Sequence, residues 1–297
     1  MIERSILFVP GDSAKKIARA ADCQADAIVL DLEDSVAPSR RAEARAMVRA
    51  ALDARAGSHR YWVRINALDS AEALADLAAV VGGAPDVILL PKASGASDVI
   101  QLNHHLSALE VRDGVAPGSI KVVAVATETG AAIFGLGSYA PACPRLAGLT
   151  WGAEDLASAV GAASNSDEQG RLTPLYEMAR GLCLAAAAAA GVEPIDTAFM
   201  DIRDLEALAR NCAAARRDGF RAKLAIHPDQ VPVINATFTP SPAEVERAQK
   251  IVDAFATDPD VGVLQLDGRM VDRPHLEQAH KILAVHQLLV KKERSWT

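Results

Sequence analysis

The chain has 297 residues, half of them hydrophobic and 23% charged, which is an ordinary globular composition and enough chain to bury a large core. A formal net charge of −7 argues against general binding to nucleic acid or an anionic membrane, and no run of about 20 apolar residues could cross a bilayer. The four cysteines (Cys23, Cys143, Cys183, Cys212) lack C-x-x-C spacing and read as core thiols, not as disulfides or zinc ligands. The first residues carry no basic-then-apolar leader pattern, so the expected location is cytoplasmic.

Strand and helix signals alternate along the chain. Residues 5–9 form a short apolar run stopped by Pro10-Gly11, and Ser13 can cap a helix to about Cys23. A buried strand at 26–32 ends in Glu33-Asp34-Ser35. Helical spacing follows at 39–54. The third strand is 61–66 and its helix 70–81. The fourth strand, 87–90, is stopped by Pro91, and 96–109 is helical. The fifth strand is 121–127 with a short helix at 131–139. The sixth strand, 146–151, leads through a Gly-Ala-Glu turn to Asp155. A polar loop at 162–170 precedes the helix 174–190. Ile195 marks a seventh strand, 201–218 a helix, and 222–226 the eighth strand. Beyond them the spacing predicts a helix at 242–255, a loop around 267–272 and a last helix at 275–291.

Near-continuous apolar strands alternating with helices imply a parallel sheet covered by helices on its faces. Eight such units predict a (β/α)8 TIM barrel in residues 1–228, with a C-terminal helical tail, 229–297, that packs over the barrel or on a neighbouring subunit. No Gly-x-Gly-x-x-Gly or Walker motif supports an open nucleotide-binding sheet instead.

Active-site groups of a barrel sit at the C-terminal ends of its strands. Those positions hold Pro10, Gly11 and Asp12; Asp31, Glu33 and Asp34; Arg64 and Asn66; Lys92; Glu128; Glu154 and Asp155; Asp196; and His227. A carboxylate at the end of a buried strand costs several kcal/mol if unpaired. Two of them on consecutive strands, Glu128 and Asp155, are suited to a hard divalent cation such as Mg²⁺. The plainer readings pair Glu128 with Lys92, pair Arg64 with Glu33 or Asp34, leave Lys15 and Arg19 on a solvated helix face, and make Asp272 a helix cap. Lys92 reads as an ion-pair partner of the acidic cluster, not as a Schiff-base lysine. His104 and His105 read as surface residues.

The chain resembles the citrate lyase β-subunit-like proteins of the HpcH/HpaI aldolase superfamily, which includes malyl-CoA and citramalyl-CoA lyases. The resemblance is carried by Arg4-Ser5-Ile6-Leu7-Phe8-Val9-Pro10-Gly11, Leu30-Asp31-Leu32-Glu33-Asp34-Ser35-Val36, Val63-Arg64-Ile65-Asn66, Leu90-Pro91-Lys92, Thr127-Glu128-Thr129, Gly152-Ala153-Glu154-Asp155, Ile226-His227-Pro228 and Gly268-Arg269-Met270-Val271-Asp272. It implies a Mg²⁺-dependent lyase on a short 3-hydroxyacyl-CoA, giving an acyl-CoA and a 2-oxoacid. Glu128 and Asp155 fall on the metal ligands, Glu128 also on the substrate site, and Arg64 on the arginine that grips the acid's carboxylate. Phe8, Pro10, Gly11, Lys15 and Arg19 fall on the coenzyme A loop, and Ile226 and His227 on a second coenzyme A stretch. Asp272 falls on the acid/base that a neighbouring subunit delivers, so the resemblance implies a homo-oligomer, trimer or hexamer. Gly152–Leu156 and the following 158–161 look more like the stand-alone CoA lyases than a citrate lyase subunit. A citrate lyase β-like subunit and a CoA-independent 2-oxoacid aldolase are the alternatives.

Overall fold

The computed structural model describes residues 3–55, 59–140, 143–257 and 261–294. The chain divides into two compact units, Glu3–Asn235 and the residues from Ala236 onward. Helix Gln230–Phe238 runs through the boundary, so the first unit extends past residue 228.

The first unit is a closed parallel barrel of eight strands in sequential order. They are β1 (Ser5–Pro10), β2 (Ala27–Asp31), β3 (Arg60–Arg64), β4 (Val87–Leu90), β5 (Lys121–Val125), β6 (Leu146–Thr150), β7 (Glu193–Asp196) and β8 (Ala222–Ala225). Closure comes from β8 pairing with β1, Lys223 opposite Ser5 and Ala225 opposite Leu7. Alternate side chains, including Ile6, Val29, Trp62, Leu89, Val123, Ile195 and Leu224, fill the barrel interior. Helices bury the outward residues: all five of β2 and all four of β4 are buried. This two-sided burial is why the strands read as unbroken apolar runs.

The helices between strands are α1 (Ala14–Ala21), α2 (Arg41–Asp53), α3 (Ala73–Val80), α4 (Ala96–Asp113), α5 (Gly130–Gly135), α6 (Ala153–Val160), α7 (Pro174–Ala190) and α8 (Leu205–Asp218), followed by α9 (Gln230–Phe238). Ser13 caps α1 as expected, its hydroxyl accepting from Lys16 N–H at 3.4 Å. The helix expected at 131–139 is instead α5 followed by a 3₁₀ turn over Leu136–Tyr139. The Gly-Ala-Glu turn before Asp155 is the start of α6. α9 escapes the apolar pattern because Pro232 interrupts it, yet proline is tolerated in a first turn whose N–H groups have no helical partner.

The second unit contains α10 (Pro242–Thr257), a hairpin of β9 (Val263–Leu266) and β10 (Arg269–Asp272), and α11 (Arg273–Arg294). Its core joins Ala248, Ile251, Phe255, Val271 and Ala279. The loop expected around 267–272 is this hairpin. Asp267 and Gly268 turn it with φ of +50° and +74°, the left-handed pair that a tight antiparallel turn requires. No helix among the described residues is long and apolar enough to cross a membrane.

Candidate active site

The C-terminal mouth of the barrel carries the charged cluster. Arg64, at the end of β3, stands in register with Asp31 on β2. Its Nε and Nη2 donate to the two Asp31 carboxylate oxygens, each at 2.7 Å, in the fork geometry that suits guanidinium to carboxylate. The Phe8 ring lies 4.9 Å from the guanidinium carbon. The third face of Arg64 reaches Glu33 at 3.1 Å and Asp34 at 3.4 Å. The expected partners are therefore present, but Asp31 is the principal one. Asp31 also accepts from the main chain of Glu33 and Ser35, which shapes the loop after β2. Burial pushes the Asp31 carboxyl up, but its hydrogen bonds with Arg64 hold it below the usual range.

Asn66 ties the β3 end to the same loop. Its amide donates to Leu32 O at 2.9 Å and to Asp76 Oδ2 at 2.8 Å. Asp76 is fully buried on α3 and takes its other oxygen to Arg45 of α2 at 2.7 Å. Sequence reasoning missed Asp76. An acidic residue on the buried side of a helix was the available signal.

Glu128 follows β5 and is 3% exposed. Its Oε2 accepts from Lys92 N–H at 2.5 Å. The same Lys92 extends its ammonium to Glu33 at 2.5 Å and to Asp155 at 3.2 Å. Asp155 sits in the first turn of α6, where the helix N-terminus favours a negative charge. Burial, with Asp155 and Glu33 nearby, pushes the Glu128 carboxyl up to about 8. Burial likewise pushes Glu33 up to about 7, and its buried Oε2, 3.1 Å from Arg64 Nη1, makes no aligned hydrogen bond. Like charges gathered under poor solvation are stabilised by a cation.

The donor set is all carboxylate oxygen, which suits a hard divalent ion. Among the described residues no group of three or more His, Cys, Asp and Glu side chains forms a metal cage. Two carboxylates, with water or substrate completing the shell, is the usual manner of holding Mg²⁺. Glu128 and Asp155 fit that manner. Glu154 points elsewhere: it is exposed and accepts from Asn165 at 2.7 Å.

The other residues singled out by sequence fall into four places. Pro10 and Gly11 end β1. Gly11 N–H donates to Asp31 O, and a Cβ at Gly11 would come 2.5 Å from that oxygen, so only glycine fits. Lys15 and Arg19 are exposed on α1, one turn apart. Ile226 and His227 follow β8 half-buried, their N–H groups both donating to Gln230 Oε1 at 2.9 and 3.3 Å. Gln230 is fully buried and also donates to Phe199 O, which makes it the organiser of that loop and a residue the sequence reading overlooked. Asp272 lies in the second unit at the end of β10, where its carboxylate pairs with His275. Its N–H also meets His275 Nδ1 at 3.3 Å. A cavity of about 390 Å³ opens beside Lys92, lined by Leu68, Asp69, Leu90, Pro91, Ser94, Asp98 and Gln101.

The HpcH/HpaI aldolase/citrate lyase family model matches residues 4–228, the whole barrel and its mouth. The chain belongs to this family. A second model, a C–C bond lyase of the TIM-barrel fold, matches residues 175–288. Among relatives, the (3S)-malyl-CoA thioesterase of Cereibacter sphaeroides is 35% identical over 95% of this chain and 93% of its own length. The citrate lyase subunit beta of Escherichia coli K12 is 35% identical over 96% of this chain and 93% of its own. Among solved structures, CitE from Mycobacterium tuberculosis in complex with magnesium, acetoacetate and coenzyme A superposes with a TM-score of 0.77 at 31% identity, covering 96% of this chain and 98% of that one. The citrate lyase beta subunit of the same organism, complexed with oxaloacetate and magnesium, gives 0.68 at 32%, over 80% of this chain and 98% of that one.

Proposed function

We propose that this protein is a Mg²⁺-dependent lyase that cleaves, or forms, the carbon–carbon bond of a short 3-hydroxyacyl-CoA such as malyl-CoA or citramalyl-CoA, giving an acyl-CoA and a 2-oxoacid. The observation that carries the reading is that Lys92 contacts both Glu128 and Asp155 at the barrel mouth, with Arg64 linked to Lys92 through Glu33. The magnesium, 2-oxoacid and coenzyme A ligands of the M. tuberculosis structures support it.

Glu128 and Asp155 are assigned to hold the metal, which when bound supplies Lewis acidity at the hydroxyl and carboxylate oxygens of the substrate. Arg64 fixes the acid's carboxylate. Asp31 and Phe8 hold the guanidinium in place on two sides, so little orientation is left to lose when substrate arrives. In cleavage the hydroxyl proton leaves to a base, the Cα–Cβ bond breaks, and its electron pair passes into the thioester as an enolate. Asp272 is assigned the acid that protonates the enolate carbon, and in the reverse direction the base that removes that proton. Pro10, Gly11, Lys15, Arg19, Ile226 and His227 are assigned to the coenzyme A portion, the two cations suiting its phosphates. The protein acts as a homo-oligomer in the cytoplasm.

A thioesterase is the second reading, favoured by the 35% identity to the (3S)-malyl-CoA thioesterase. Product analysis separates the two. Malyl-CoA with Mg²⁺ should yield glyoxylate and acetyl-CoA. Malate and free CoA instead would replace the lyase with the hydrolase, and no metal-dependent turnover of malyl-CoA or citramalyl-CoA would overturn both.

A further inference from the structure

Lys92 stands among the carboxylates as a cation would. It follows Pro91 at the end of β4 with φ of +53°, a left-handed backbone that is strained for a residue with a side chain. That conformation lets one residue meet both candidate metal ligands. The main-chain N–H lies 2.5 Å from Glu128 Oε2, while Nζ lies 3.2 Å from Asp155 Oδ1. The ammonium also reaches Glu33 Oε1 at 2.5 Å and Asp34 Oδ1 at 3.8 Å. Arg64 gives its fork to Asp31 and shares Glu33 and Asp34 with Lys92, while Lys92 is the cation that also reaches Asp155. Glu33 Oε2 is buried and lies 3.1 Å from Arg64 Nη1 without an aligned hydrogen bond, so Lys92 is the cation that hydrogen-bonds the Glu33 carboxylate.

We propose that Lys92 is an internal counter-cation that holds the carboxylates together before a divalent ion binds, yields Asp155 to that ion, and thereby sets the affinity of the site for metal. The inference rests on the assignment of Glu128 and Asp155 as ligands. A metal on Asp155 and an ammonium on the same oxygen repel one another at a few ångströms. The Lys92 side chain is one-third exposed on a four-carbon stem and has Glu33 and Asp34 to retire to. Its N–H contact with Glu128 belongs to the backbone and is unaffected by that movement. Charge neutralisation and ligand orientation are thus divided between the two ends of one residue.

The test uses Mn²⁺ as the probe, with calorimetry and thermal melting, on the full chain and on Lys92→Met, Lys92→Gln and Lys92→Arg. Methionine and glutamine keep a side chain at the same φ, so backbone strain is nearly constant across the set. Both neutral variants should bind Mn²⁺ at least about tenfold more tightly than the parent. They should melt lower without metal and regain more with it. Lys92→Arg should bind within about threefold of the parent, since the charge is kept. Equal or weaker Mn²⁺ binding by the neutral variants, while Asp155→Ala still abolishes binding in the parent, overturns this inference alone. Should one neutral variant fail to fold, the other decides. Mn²⁺ binding that survives Asp155→Ala, or no binding by the parent, overturns the ligand assignment and this inference with it.

Discussion

Gly152 is shaped by Glu128: a Cβ on Gly152 would come 2.7 Å from Glu128 Cγ and 3.1 Å from its Oε1. The glycine N–H also donates to Thr127 Oγ1 at 3.1 Å, so the two strand-end loops are locked face to face. Glu128 can occupy its buried position only because the residue preceding α6 has no side chain.

Gly152→Ala therefore moves a carboxylate without removing one. The expected result is a roughly 100-fold loss of kcat/KM, the usual consequence of misplacing a reacting group by about 1 Å. Mn²⁺ binding measured by calorimetry should weaken in parallel. The overpacking should cost about 1–3 kcal/mol in urea unfolding. Unchanged metal affinity would show that Glu128 is not a ligand.

Asp31→Asn keeps the shape of the side chain and removes the charge that holds Arg64. The KM for the 2-oxoacid in the condensation direction should rise about 10-fold to 100-fold, the scale of a lost charge-assisted hydrogen bond. Metal binding should be unaffected. Steady-state kinetics with the 2-oxoacid as the varied substrate provide the check.

Asp272→Asn should lower kcat by about 10²–10⁴ while Mn²⁺ still binds as in the parent. Exchange of the acyl-CoA α-protons with deuterated solvent, followed by NMR, should stop in the same variant. Persistent exchange would move the acid/base role to another residue.

A pH dependence follows from the network behind β7 and β8. Asp196 is buried and joined to Lys223 Nζ at 2.6 Å, to Trp151 Nε1 at 2.8 Å and to Arg180 at 3.4 Å. Burial raises its carboxyl, but Lys223 and Arg180 outweigh burial and hold it below the usual value. A carboxylate with a depressed folded-state pKa contributes stability that is complete above the unfolded value, about 4, and is lost as pH falls through the folded one. The Asp196 contribution to the urea midpoint should thus be constant above about pH 5 and fall away below about pH 4. In Asp196→Asn that acid step should shrink, with a loss of about 3–5 kcal/mol at pH 7 because Lys223 is left buried and unpaired.

The barrel was legible because its strands are buried on both faces, and Glu128 and Asp155 were legible because acids end two of those runs. Two relationships at the mouth were not. Arg64 meets Asp31 first because parallel register places them side by side, and register between strands is not written in either strand's composition. Lys92 binds Glu128 through its main chain at a positive φ, which no pattern of side chains reveals. The hairpin of the second unit did carry a signal, Asp267-Gly268, but polar residues at 265 and 269 weakened the strand pattern around it. Gln230 was hidden for another reason: its role is to collect main-chain N–H groups, and glutamine is common enough that its position alone says little.

The seam between β1 and β8 governs how this protein can be made. Ser5 pairs with Lys223, and its hydroxyl donates to Asn235 at 2.7 Å, across 230 residues of chain. On the ribosome the N-terminal strand emerges first and must wait for nearly the entire unit before its neighbour exists. Until then β1 is an open sheet edge, the kind of surface that pairs with other chains. A nascent chain halted before Ala222 leaves that edge exposed, along with the free side of β7. Contacts this distant in sequence also make folding slow. Expression at low temperature or with chaperones should therefore raise the yield of this chain more than substitutions that strengthen the finished core.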